Sequence, residues 1–210
     1  MALDFPASPA EGAIYAPGNN AFQQVGGKWR QERGWAHLDR DRNGVDFPYN
    51  RVLPAGFTAF KILFRNHEPY AVKSTFYMRV SVDGGSLYYA NVGAYAWGGS
   101  YATTTSQGSW NPPGWVNGTT YIPLSAGLAR FNGGGPSILE LDIDPGDAHT
   151  FGSVNWRGMY WEGSTLVQHW GHGYLGAGPR WTNLQFFYSS DNGVSKNTMV
   201  AGSYDLFGAP

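Results

Sequence analysis

The sequence predicts an all-β protein, an antiparallel sandwich of Greek-key or jelly-roll type preceded by a small hairpin module, and two observations predict it. Its 30 glycines and 13 prolines run along all 210 residues, in clusters such as Gly84-Gly85, Gly98-Gly99, Asn111-Pro112-Pro113-Gly114 and Gly133-Gly134-Gly135-Pro136. They punctuate the chain with turns. Between them lie short runs whose apolar residues recur with period two, the signature of strands with one buried face. No window keeps a 3.6-residue apolar period for three turns without a Gly or Pro, so no long helix is expected.

In chain order, residues 1–33 form the small module. Gly12–Ala16 and Ala21–Val25 flank a Pro17-Gly18-Asn19-Asn20 turn, and Lys28-Trp29 begins a third short strand. So few short strands bury little, and the module must pack on a neighbour or on another subunit. Residues 34–210 form the sandwich domain. Phe60, Ile62 and Phe64 share one face, opposite Lys61 and Arg65. Phe76, Met78, Val80 and Val82 stand opposite Thr75, Tyr77, Arg79 and Ser81. Leu139, Leu141 and Ile143 face away from Glu140, Asp142 and Asp144, and Leu184, Phe186 and Tyr188 repeat the pattern near the end. Val154–Trp161 reads as a strand with one ring facing inward. Sheets of this kind bury their apolar sides by stacking face to face.

Aromatic residues make up 16% of the chain and charged residues only 14%, against roughly 25% charged in an average globular protein. Contact surfaces must rely on neutral polar and aromatic groups. The net charge of −1 offers no single-sign field for a phosphate backbone or an anionic membrane, so nucleic acid is not an expected partner. Cysteine is absent, which removes disulfides, thiol nucleophiles and thiolate metal sites. The opening Met1–Pro6 carries an acid and a proline where a signal peptide needs a positive start and an apolar run, so export by that route is not expected. No stretch approaches 18 consecutive apolar residues, and membrane insertion is not expected.

Four constellations bear on chemistry. Asp39-Arg40-Asp41-Arg42-Asn43-Gly44 matches the first half of a calcium loop, but Asn50 stands where a bidentate Glu belongs. The competing reading is an Asn-Gly turn joining Trp35–Asp39 to Val45–Phe47. His169-Trp170-Gly171-His172 sets two imidazoles three apart in a Gly-rich loop, where a metal needs a third ligand; the alternative is a polar aromatic loop at the surface or at a subunit contact. Asp142 and Asp144 lie on one strand face roughly 7 Å apart, open to glycoside hydrolysis or to a solvated role. No nucleophile elbow or phosphate-binding loop appears. The chain is therefore expected to be no enzyme and to hold no cofactor or metal. The richest signal is aromatic: Tyr88, Tyr89, Tyr95, Trp97, Tyr101, Trp110 and Trp115 crowd a Gly-, Ser- and Thr-rich stretch. Such rings suit sugar faces, protein interfaces or the core of the sandwich.

Three stretches together resemble bacteriophage tail-fibre and related virion proteins with a jelly-roll-like C-terminal domain. Leu3–Pro9 through Gly12, Tyr15 and Trp29 resembles a short hairpin module of phage fibres. Val45-Asp46-Phe47, Leu53–Phe57 and Phe76–Ser86 are similar to that family's opening hairpin, in which a proline-glycine turn starts a strand and a second strand ends at Asp83-Gly84-Gly85. Leu184–Ser190 with Gly202–Gly208 resembles its closing strands. The resemblance leaves residues 87 to 180 largely unmatched.

What the resemblance implies is a homotrimeric virion protein, attached to other virion proteins, whose distal loops contact a bacterial surface glycan or protein. On that reading the contact residues are Tyr95, Trp97, Tyr101, Trp110, Trp115, His169, Trp170 and His172. A capsid-decorating or head-fibre role is the alternative, and a glycan-degrading virion enzyme the second.

Overall fold

The computed structural model describes residues 10, 13–15, 21–25, 28–32, 35–41, 49–69, 74–90, 94–103, 107–109, 116–125, 137–147, 149–162, 165–175, 179–190 and 199–209. Their regular structure is all strand. The first segment is a three-stranded sheet of β1 (Ile14–Tyr15), β2 (Ala21–Val25) and β3 (Lys28–Glu32) in that order, the expected hairpin with its third strand. Ile14 packs against the core of the sandwich.

The sandwich is built from β4 (Ala36–Asp41), β5 (Tyr49–Val52), β6 (Ala59–Pro69), β7 (Thr75–Ser81), β8 (Tyr95–Thr103), β9 (Gln107–Ser109), β10 (Val116–Thr119), β11 (Ile122–Pro123), β12 (Ile138–Asp144), β13 (Ser153–Glu162), β14 (Thr165–Leu175), β15 (Asn183–Ser189) and β16 (Met199–Ala209). One sheet runs β10-β8-β14-β13-β12-β6-β16-β4, with β9 beside β8; the other runs β11-β7-β15-β5. All pairings are antiparallel.

The connectivity is that of a jelly roll. The ribbon β4-β5 lies beside β16-β15, which lies beside β6-β7, which lies beside β12-β11, one strand of each pair in each sheet. Two Greek keys of eight strands result. The remaining strands enter as two excursions, β8 to β10 after β7 and β13-β14 after β12, and both widen the larger sheet past β12. The stretches read above as an opening hairpin and a closing pair therefore do not pair within themselves: β6 and β7 belong to opposite sheets, as do β15 and β16.

The expected inward residues fill the space between the sheets. Phe60, Ile62, Phe64, Phe76, Met78, Val80, Leu139, Leu141, Ile143, Leu184, Phe186 and Tyr188 are all buried. Phe64 meets Phe76 and Phe186 edge to face at 5.2 and 5.1 Å between centroids, a favoured aromatic geometry that ties the two sheets together. After Arg65 the alternation of β6 slips by one residue. Asn66 takes φ 52°, a left-handed conformation that Asn tolerates better than most residues. Three steps of β6, Arg65 to Glu68, then oppose two of β16, Ser203 to Ala201. This bulge turns His67 into the core, where its Nδ1 is hydrogen-bonded to the Tyr188 hydroxyl.

The Asp83-Gly84-Gly85 turn forms as expected, with Gly84 at φ 77° and Asp83 Oδ1 accepting from Leu87 N at 3.0 Å. The outer face of the smaller sheet departs from the expected polar exposure. Tyr77, Ser81, Gln185 and Phe187 are buried there, so β15 is covered on both faces. Tyr77 rests on Tyr121 at 4.3 Å and on Phe187 at 5.5 Å. The Arg79 guanidinium lies 4.8 Å above Phe187, anchored by its Nε–H to Thr120 O. No described helix is long and apolar enough to cross a membrane.

Candidate functional site

Register decides which of the expected contact residues can meet a ligand. Tyr95, Trp97 and Tyr101 stand on β8, a strand rather than a loop, and all three point to the inward face. Across β14 they pair with Leu175, Gly173 and His169, which share that face. Tyr95 is 1% exposed; its hydroxyl accepts from Val80 N and donates to Tyr89 O, both at 2.9 Å. Burial pushes this phenol well above its ordinary range. Trp97 and Tyr101 pack against the core. Tyr95 thus takes the core reading, while Trp97 and Tyr101 are partly buried. Trp110 and Trp115 lie outside the described residues.

His169, Trp170 and His172 sit on β14, again a strand. Residues three apart on a strand point to opposite faces, so the two imidazoles cannot close on one metal. His169 is buried beside Tyr160, ring to ring at 5.5 Å, and occupies the space over Gly158, where a Cβ would lie 2.6 Å from its Nε2. Only 3% of it is exposed. Trp170 and His172 face outward and are exposed. Among the described residues no group of three or more His, Cys, Asp or Glu could hold a metal ion.

Only the first part of the half calcium loop lies within the described residues. Asp39 lies within β4, and its carboxylate is taken by Tyr204 OH at 2.6 Å, by Arg40 N at 2.8 Å and by Arg51 at 3.4 Å. Asp41 ends the strand, and Asn43, Gly44 and Val45–Phe47 lie outside the described residues. Asp142 faces outward and pairs with Lys61 at 3.3 Å. Asp144 accepts from Gly146 N at 2.8 Å across the following turn. Val154–Trp161 turns two rings inward, Trp156 and Tyr160, and one outward, Trp161.

The outward face of the larger sheet is thus where the recognisable chemistry gathers. One cross-strand row runs Trp170, Arg157, Glu140, Leu63, Asp205, Arg40. The rows beside it run His172, Asn155, Asp142, Lys61, Phe207, His37 and Gln168, Met159, Ile138, Arg65, Ser203. At the end carried by the β13-β14 excursion, Trp170 is 47% exposed. It borders a depression of about 350 Å³ with Ile138, Glu140, Arg157, Gly158, Met159, Gln168 and His169. Glu140 accepts from Arg157 Nε at 2.9 Å and from Lys61 Nζ at 2.5 Å. The Lys61 ammonium and then Arg157 hold its carboxyl below the ordinary range against the opposing effect of burial.

At the other end, Asp205 is bonded by Arg40, by Arg65 and by His37, the last at 3.0 Å. Burial alone would raise this carboxyl; the three hydrogen bonds more than reverse that and bring it to about 2. Arg40, Arg65, Ser203, Tyr204 and Asp205 line a second depression, of about 480 Å³.

Arg157 and Met159 occupy the outward parity of a run already read as a strand, so alternation alone could have nominated them. No local signal marks Asp205 and its arginines, which are 140 and 165 residues apart.

The fold and this face define the class: a widened jelly roll that presents an open aromatic and ion-paired sheet surface. No protein-family model matches the chain, and no curated protein matches it.

Proposed function

We propose that the chain is a non-enzymatic bacteriophage virion subunit of tail-fibre or receptor-binding type, which recognises a bacterial surface glycan or protein through the outer face of its larger sheet. The observation that carries the reading is the half-exposed indole of Trp170, set beside Arg157, Glu140 and Gln168 over a shallow depression. A flat ring with planar hydrogen-bonding neighbours suits stacking and polar readout together. Ile138, Met159 and Trp161 extend the exposed apolar surface around it, the composition of a recognition patch rather than of a solvated strand face. Assembly as a homotrimer fits the same reading, since association covers sheet edges that otherwise invite aggregation.

Adsorption of the purified protein to host cells and to their extracted envelope glycans tests the proposal. Wild-type protein is depleted by one or both, and Trp170→Ala is not. Equal indifference of both proteins to every host fraction would overturn it. Sedimentation at micromolar concentration tests the trimer independently.

A further inference from the structure

We infer that Arg40 and Arg65 form an anion subsite on the same face, which takes a carboxylate or phosphate group of a charged oligosaccharide. The inference rests on the glycan branch of the recognition reading above.

Asp205 is 6% exposed at its side chain, while Arg40 and Arg65 are each 43% exposed. Two guanidiniums share one carboxylate, which leaves the cluster with a net positive charge. Arg40 bonds Asp205 through Nε and Arg65 through Nη1. Each guanidinium has five N–H donors, and among the described residues no other side chain accepts from either. The remaining donors border the depression that Ser203 also lines.

The two arginines are fixed by their shared partner, so an incoming anion meets donors already ordered. Planar forks of this kind bind carboxylates and phosphates in two-point contacts. Arg65 extends from β6 and Arg40 from β4, with β16 between them; an anion held by both would sit above Asp205 and neutralise the excess charge. Four strand spacings separate Trp170 from Asp205 along one row, roughly 19 Å. An extended glycan lying across the strands can therefore stack on the indole and place an acidic group at the arginines.

The experiment measures binding of alginate oligomers, phosphorylated dextran and neutral dextran of matched length by calorimetry at low and moderate salt. Wild-type protein binds an anionic probe at least about tenfold more tightly than neutral dextran, and salt erodes that preference. Preference for alginate identifies the carboxylate source, and preference for phosphorylated dextran the phosphate source. Arg40→Gln and Arg65→Gln each remove most of the preference, while Arg40→Lys, which keeps the charge but loses the fork, removes part of it. Trp170→Ala weakens all the probes that bind, and its ratio of anionic to neutral affinity is unchanged. Equal affinity for charged and neutral probes, binding of none of the three, or arginine variants that retain the full preference would each overturn the subsite. Host-cell adsorption that survives such a result leaves the broader recognition reading standing, so the two can fail separately.

Discussion

The indole of Trp156 lies over Gly171 on the neighbouring strand, so close that a Cβ at position 171 would fall 2.6 Å from the ring's Cε2 and 2.6 Å from the carbonyl oxygen of Gly98. Trp156 and Gly171 are direct cross-strand partners. The missing side chain is what lets the indole lie flat against the widened sheet and remain buried. Neither the ring, packed within the core, nor the backbone of β8 can give way cheaply. Gly171→Ala is expected to destabilise the protein by about 1–3 kcal/mol through overpacking, read as a lower urea midpoint at unchanged slope. Wild-type stability in this variant would mean that the ring stands elsewhere.

Acid sensitivity follows from two imidazoles in the core. Burial, with a smaller contribution from His169, brings His67 down to about 3, and burial brings His169 down to about 4, against about 6.5 in an unfolded chain. Below pH 6.5 the unfolded chain therefore takes up protons that the folded one refuses. Stability falls by about 1.4 kcal/mol per pH unit for each histidine, over a window that closes near pH 4 for His169 and near pH 3 for His67. Asp205 acts at the acidic end: its lowered pKa contributes stability above about pH 4, which is lost as the pH falls toward 2. Urea midpoints should hold nearly level from pH 7.5 to about 6.5 and fall from there to pH 5, and His169→Gln should shallow that fall. A flat profile would show that both rings take up protons as readily in the folded chain as in the unfolded one.

Trp156 and Trp170 occupy adjacent strands but opposite faces, and truncation should separate their roles. Trp156→Ala empties a core site and is expected to cost about 3–5 kcal/mol. Trp170→Ala removes an exposed ring and should change stability by less than about 0.5 kcal/mol while abolishing host adsorption. Acrylamide quenching of the two variants against wild type provides a second measure, because the Trp170→Ala protein should lose an accessible component of the emission. A large stability loss at Trp170 would show that this ring belongs to the packing.

Much of the sandwich was legible because one-sided burial writes itself into alternation. Phe60, Ile62 and Phe64, like Leu139, Leu141 and Ile143, could hardly serve any other element. The excursions are harder to read, for a reason that their own residues explain. Gly98-Gly99 reads as a turn and Gly171 as part of a loop, yet Gly99 and Gly171 are paired mid-strand, and glycine is required at Gly171 by the close approach of Trp156. Broken at these glycines, the two strands leave Tyr95, Trp97, Tyr101 and His169 without a fixed face. Restoring the strands returns them to the inward face and leaves Trp170 and His172 outside.

The sequence by itself determined the all-β class, the inward residues of the principal strands, the N-terminal hairpin with its third strand and the Asp83-Gly84-Gly85 turn. Each of these follows from local conformational preference or from period-two burial. Tertiary structure decided the order of strands in each sheet, the widening past β12 and the meeting of Arg40, Arg65 and Asp205. Those depend on pairings between residues far apart in the chain, whose energies arise only when the sheets close, so no local pattern encodes them.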